Sequence, residues 1–218
     1  MDWFEPLDGY CERLGPGFWA EPLNAVSNAS FIVAGIVLYM QWQSTRDRPV
    51  TGLLLVINVL AVGIGSFLFH TFANRWSEVA DVLPITVFIH LYLLLALRNF
   101  LGLKWWQAAG LTLAFFAISP LLAMRIAPLV GSSAFYIPAL LAIFGVAIAA
   151  NWTNRAVALR LRDTGIVFAL SIALRSVDMP FCDSLPTGTH VFWHILNGVV
   201  LYLLVRLYLQ INAAPATR

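Results

Sequence analysis

The chain has 218 residues, 60% of them hydrophobic and only 11% charged, with a mean hydropathy of +0.80, which excludes an ordinary soluble domain and points to an integral membrane protein. Its net charge of +2 is scattered through short connections and forms no basic stripe, so nucleic acid is excluded as a partner class. No Ser/Gly/Pro-rich linker, low-complexity tract or internal repeat divides it, and residues 1–218 read as a single domain.

Residues 1–23 carry Asp2, Glu5, Asp8, Glu12 and Glu21 against a single basic residue, Arg13. They lack the basic start and apolar core of a signal peptide, so the segment is expected to remain in the mature protein. Seven apolar stretches follow, at about 24–43, 51–72, 80–98, 106–124, 134–151, 160–176 and 189–209. Each holds roughly 17 to 22 residues, enough to cross a hydrocarbon core of ~30 Å at ~1.5 Å per residue. Backbone groups cannot stay unpaired in lipid, and no alternating pattern marks a barrel. The expected fold is therefore an all-α integral membrane protein, a seven-transmembrane helix bundle with a short tail at 210–218. The sixth stretch is the least apolar, with Arg162 and Asp163 at its start and Arg175 and Asp178 near its end.

Seven spans place the N-terminus on the same side as Arg13, Arg75, Arg125 and Arg175, and the nine other Lys and Arg residues on the opposite side. The positive-inside rule then makes the N-terminus extracytoplasmic and the C-terminus cytoplasmic. Cys11 and Cys182 both fall on the outer side. An oxidising compartment permits a bridge between them, and two free thiols are the alternative.

Ionisable groups inside spans are costly, so each is a candidate for function. There are four histidines. His190 and His194, in "THVFWHILNG", are four apart and share a helix face, a spacing that lets two imidazoles hold one metal ion. They start the seventh span at the depth where His70 ends the second, so three histidines are expected to converge, the ligand number of many catalytic zinc sites. Asp81 begins the third span at the same level, where it also reads as a helix N-cap. Ser66 lies one turn deeper than His70 on the same face, beside Gly63 and Gly65, where it equally suits close helix packing. His90 is turned to the opposite face and reads as a hydrogen-bonded interior histidine. Phe67, Trp76 and Trp193 are candidate pocket liners that read equally well as interface aromatics.

"EPLNAVSNASFIVAG" followed by "GSFLFHTF", the Asp81 of "EVADVLP", and "GTHVFWHILNG" resemble the alkaline ceramidases. These are seven-helix membrane amidases in a wider hydrolase superfamily that includes the progestin and adipoQ receptors. The resemblance runs from about Tyr10 to about Leu204, and the short loops suggest a prokaryotic member. It implies zinc at His70, His190 and His194, Asp81 acting on the water at the metal, and Ser66 hydrogen-bonding at the reacting centre. It also implies calcium near Glu12 of "YCER", Glu21 of "WAEPLN" and Asp8. The segment between these acids is shorter than in the family, with Gly15, Pro16 and Gly17, and the family's asparagine ligand has no clear counterpart. The resemblance further favours a Cys11–Cys182 bridge.

The function so implied is zinc-dependent hydrolysis of the amide bond of ceramide or a related N-acyl membrane lipid, releasing a fatty acid and a long-chain amine. Two alternatives stand beside it: a non-catalytic seven-helix lipid receptor with a structural zinc, and a hydrolase of a lipid ester. The sequence does not define the acyl length or the oligomeric state.

Overall fold

The computed structural model of the protein describes residues 2–212. In chain order the α-helices are α1 (Pro22–Ser27), α2 (Ala29–Gln43), α3 (Val50–Phe72), α4 (Arg75–Asn99), α5 (Trp105–Val130), α6 (Ile137–Ala150), α7 (Arg155–Ser176) and α8 (His190–Asn212), with short 3-10 segments at Gly131–Tyr136 and Met179–Phe181. Among the described residues the only β-type pairing is an isolated bridge between Pro6 and Asn74. The all-α membrane architecture predicted from composition is present. Five helical stretches are long and apolar enough to cross a membrane: Pro22–Ser44, Val50–Phe72, Arg75–Asn99, Trp105–Ala150 and His190–Asn212. Of the tail predicted at 210–218, residues 210–212 complete α8 and the rest lies outside the described residues.

The span count differs from the prediction. Where seven separate spans are expected, the described residues form six continuous helical runs. The predicted spans at 106–124 and 134–151 join in one run of 46 residues, Trp105–Ala150, because no polar loop interrupts the apolar sequence between them. A straight run of that length would reach about 69 Å, more than twice the ~30 Å hydrocarbon core. Instead it bends at Gly131, whose φ of 58° and ψ of −142° terminate α5. Beyond the bend, Ser132 and Ser133 meet Arg175 at the end of α7. At the opposite end of the bundle, the Thr153 hydroxyl lies 3.5 Å from the Phe100 carbonyl. The two arms therefore run between the same two ends. The sixth run, α7, has 22 residues, and Arg155, Arg160, Arg162, Asp163 and Arg175 keep it out of the apolar set.

Packing arranges α4, α3, α2, α8, α7 and α6 in a ring, with α5 outside it against α4. The ring is filled by aliphatic side chains such as Leu38, Leu55, Val59 and Val205, all fully buried. α5 buries only Ala108 and Ala123, which suits a helix whose outer face meets lipid.

α4 begins earlier than predicted. Asn74 is its N-cap: the Asn74 side chain accepts from the Ser77 N–H (3.2 Å) and Ser77 Oγ accepts from the Asn74 N–H (3.0 Å), a reciprocal capping box. Asp81 thus lies nearly two turns inside the helix, and the reading of Asp81 as an N-cap is corrected. At that level α3 and α4 touch backbone to backbone. A Cβ added at Gly65 would collide with the Ala80 carbonyl oxygen, so only glycine permits the approach that sets Ser66 opposite the turn bearing Asp81. The packing role foreseen for this small-residue patch is real.

Gly65→Ala is expected to force the two helices apart at a cost of ~1–3 kcal/mol, seen as a lower thermal midpoint of the detergent-solubilised protein. An unchanged midpoint would show that the close approach is dispensable.

Candidate metal centre

Two helix ends carry the three histidines. His70 lies in the last turn of α3, and His190 and His194 occupy one face at the start of α8. The start of α8 is fixed by Asp178, across the preceding loop. Asp178 Oδ1 accepts from the Thr189 and His190 backbone N–H groups (2.6 and 2.8 Å), while Oδ2 accepts from the Cys11 N–H (3.2 Å). Its carboxylate thus satisfies the exposed donors of the helix start. Gly188, at φ 66°, is required there because a Cβ would strike that carboxylate. The Cys11–Cys182 disulfide is formed and ties the N-terminal segment to the same loop.

All three histidines are buried, at 1% exposure each, and one ring nitrogen from each lies within 4.8 Å of the others. The partners of the outward nitrogens settle two tautomers. His70 Nδ1 meets Glu21 Oε2 at 2.6 Å; a carboxylate can only accept, so Nδ1 carries the hydrogen, which in a neutral ring leaves the lone pair on Nε2. His194 Nδ1 meets Ser27 Oγ at 2.7 Å, and that hydroxyl already donates to the Asn24 carbonyl (2.8 Å). Ser27 must therefore accept from His194, which leaves Nε2 as the free base. Second partners of this kind orient histidine ligands and raise their basicity.

Several buried polar atoms of the cluster lack partners. His70 Nε2, His190 Nδ1 and Asp81 Oδ1 are buried without a hydrogen bond, and His194 Nε2 has only Ser66 Oγ at 3.5 Å. An orphaned buried polar group costs ~1–3 kcal/mol, and a cation among these atoms would remove that cost. The residues fit a metal ion in ligand type, number and orientation.

Ser66 and Asp81 line the same cavity as His190 and His194, so the predicted polar layer comes together. His90 lies apart: its Nδ1 donates to the Thr86 carbonyl (2.7 Å) and its ring packs on Phe115 and Phe116. Of the three candidate aromatics, Trp193 lines the cavity, whereas Trp76 packs on Phe72 and Phe67 on Trp19.

Several residues at the centre escape the sequence reading. Tyr10 stacks on His190 with ring centroids 3.9 Å apart and lines the cavity mouth. Burial pushes its phenol above the ordinary value, against the opposing pull of Arg175. Arg175 Nη2 donates to the Tyr10 hydroxyl (3.1 Å), and the guanidinium lies over the rings of Tyr136 and Trp193. In the sequence Arg175 is only one more basic residue at a span end. Tyr10 carries no signal beyond its place beside Cys11.

Below the polar layer the cavity is apolar. It descends between α4, α6, α7 and α8, past Ile85, Ile89 and Val146, to Ala96, Leu161 and Leu204. From Asp81 to Ala96 the helix rises about 22 Å, against ~15 Å for half of a bilayer core.

Fold and centre together define a class: a multi-pass helical membrane protein with a buried, metal-competent histidine triad at the head of a largely apolar cavity. A family model described as Ceramidase matches residues 11–216, nearly the whole chain, and the chain belongs to the ceramidase family. Membership supports a ceramide-hydrolysing function on a lipid substrate. No curated protein matches the chain.

Glu21→Gln keeps the shape of the His70 partner and removes its charge. It is expected to weaken metal binding at the triad about 10- to 100-fold, measured by competition with a chromophoric chelator. Unchanged affinity would show that Glu21 does not tune His70.

Proposed function

We propose that the protein is a zinc-dependent amidohydrolase that cleaves the amide bond of ceramide or a related N-acyl lipid within the membrane, releasing a fatty acid and a long-chain amine. One observation carries the reading: His190, His194, Asp81 and Ser66 line the head of the same cavity whose lower part is apolar. A chain held below brings an amide to the polar layer, and remote binding energy is thereby used to position the reacting bond.

His70 and His194, each through Nε2, and His190 would hold the ion. When bound, zinc lowers the pKa of water to ~7 and polarises a carbonyl oxygen. Asp81, whose Oδ1 has no competing partner, takes the proton of the attacking water and returns it to the departing amine. Ser66 donates to the oxygen on which negative charge develops. Tyr10 accepts from Arg175 and keeps its own hydrogen free for the same oxygen or a substrate hydroxyl. The aromatic rings of Tyr10, Tyr136 and Trp193 screen this layer from water.

Purified protein given labelled ceramides, N-acyl amino lipids and ester lipids is expected to release fatty acid from the amides. His194→Ala and Asp81→Asn should each lower the rate by ~10²-fold or more. Protein that holds zinc one to one and cleaves no amide lipid would sink the reading. Release from esters alone would move it to ester hydrolysis, and metal that exchanges no water would favour the structural-zinc receptor.

We also infer that the centre lies at the extracytoplasmic face, on the strength of the arginine asymmetry. Ser184→Cys, exposed beside the centre, should react with an impermeant maleimide in intact cells, and Arg46→Cys, exposed after α2, only after permeabilisation. The opposite pattern would invert the orientation.

A further inference from the structure

Calcium is implied at Asp8, Glu12 and Glu21 by the family resemblance, and the residues present do not fit it. Asp8 is exposed. Both Glu12 oxygens are taken by backbone donors, the N–H groups of Leu23 (2.6 Å) and Asn24 (2.8 Å), so Glu12 serves the start of α1. Both Glu21 oxygens are taken as well, Oε1 by the Arg13 Nε and Oε2 by His70 Nδ1 and the Asn24 amide.

The place of a cation is filled by the protein itself. Arg13, the only basic residue among the first 23, is buried, at 7% exposure. Besides Glu21, its guanidinium donates through Nη1 to the Gly15 carbonyl (3.1 Å) and through Nη2 to the His70 carbonyl (3.2 Å). All three partners are oxygens, one carboxylate and two main-chain carbonyls, the ligand types a calcium ion takes. The His70 carbonyl is one of those left without a helical partner at the end of α3, and a positive charge there also opposes the negative end of the helix dipole.

We propose that the Arg13 guanidinium is a built-in substitute for the calcium ion of the family, so that this protein positions His70 without calcium. The fixed charge draws together the N-terminal segment at Gly15, the start of α1 at Glu21 and the end of α3 at His70. It thereby holds the Glu21 carboxylate on His70 Nδ1 and leaves Nε2 directed at the metal. A guanidinium cannot dissociate or be chelated, which makes the linkage constitutive. Arg13 is a positioning residue. The proposal rests on His70 being a metal ligand, and its tests read metal binding and stability, so they stand apart from whether ceramide is cleaved.

Wild-type protein freed of divalent ions and reloaded with one equivalent of zinc is titrated with calcium chloride, and thermal midpoint and zinc affinity are followed. Calcium should move neither quantity and should not bind at up to millimolar concentration. Arg13→Ala, which leaves Glu21 without its cation, should lower zinc affinity about 10- to 100-fold, and added calcium should recover part of that loss. Arg13→Lys keeps the charge but not the fork and should fall between the two. Stoichiometric calcium binding by the wild type that raises its midpoint would overturn the proposal, as would Arg13→Ala protein with unchanged zinc affinity. If Arg13→Ala does not fold, the wild-type titration and the Arg13→Lys zinc affinity decide.

Discussion

The hydrogen bond between Glu21 and His70 is the contact on which the centre turns, because it joins a segment outside the bundle to a histidine within it. Glu21 precedes α1 and His70 ends α3, and neither position is fixed by apolar packing alone. Polar groups buried at a membrane protein's end have few waters to fall back on, so each must find an internal partner or bear the full desolvation cost. The N-terminal segment meets part of that demand. Tyr10 covers His190, Cys11 bonds to the loop before α8, and Glu12 satisfies the start of α1. The segment is thus part of the centre.

A second constraint acts from the other side. Asp178 gives one oxygen to the start of α8 and the other to the Cys11 N–H, so the helix bearing two of the three histidines and the N-terminal segment share one carboxylate. The disulfide and Asp178 act on the same joint, one by covalent closure and the other by hydrogen bonds. Redundancy of this kind suits a site whose ligands come from distant parts of the chain and whose geometry must hold within a fraction of an ångström.

Much of the centre is legible in the sequence because lipid makes polar residues conspicuous. Four histidines among apolar spans, two of them four apart, leave little freedom in grouping them. Other features stay hidden for specific reasons. "NRWSE" reads as a connection, since the Asn74–Ser77 capping box places charged residues on the first turn of α4, and Asp81 then looks like the start of a helix. The bend at Gly131 depends on one residue's dihedral angles, so two predicted spans appear joined in one helical run. Sequence also cannot tell which cation a carboxylate meets: Glu21 looks the same beside calcium as beside Arg13. Arg175 is concealed by its position, because basic residues at span ends are ordinary and only the fold sets it against Tyr10.

The cavity explains why so few polar residues suffice. A catalyst working on a soluble amide must recognise its substrate with hydrogen bonds on several sides, each needing its own supporting groups. Here the lower wall offers apolar side chains from four helices, and a lipid chain entering it gains by the hydrophobic effect only what bilayer hydrocarbon already provides. Affinity for an apolar chain there is consequently small. Selectivity must then come from the layer above, where Tyr10, Ser66, Asp81 and Trp193 line the cavity. Change in headgroup should therefore matter more to this protein than modest change in chain length, up to the floor set by Ala96, Leu161 and Leu204.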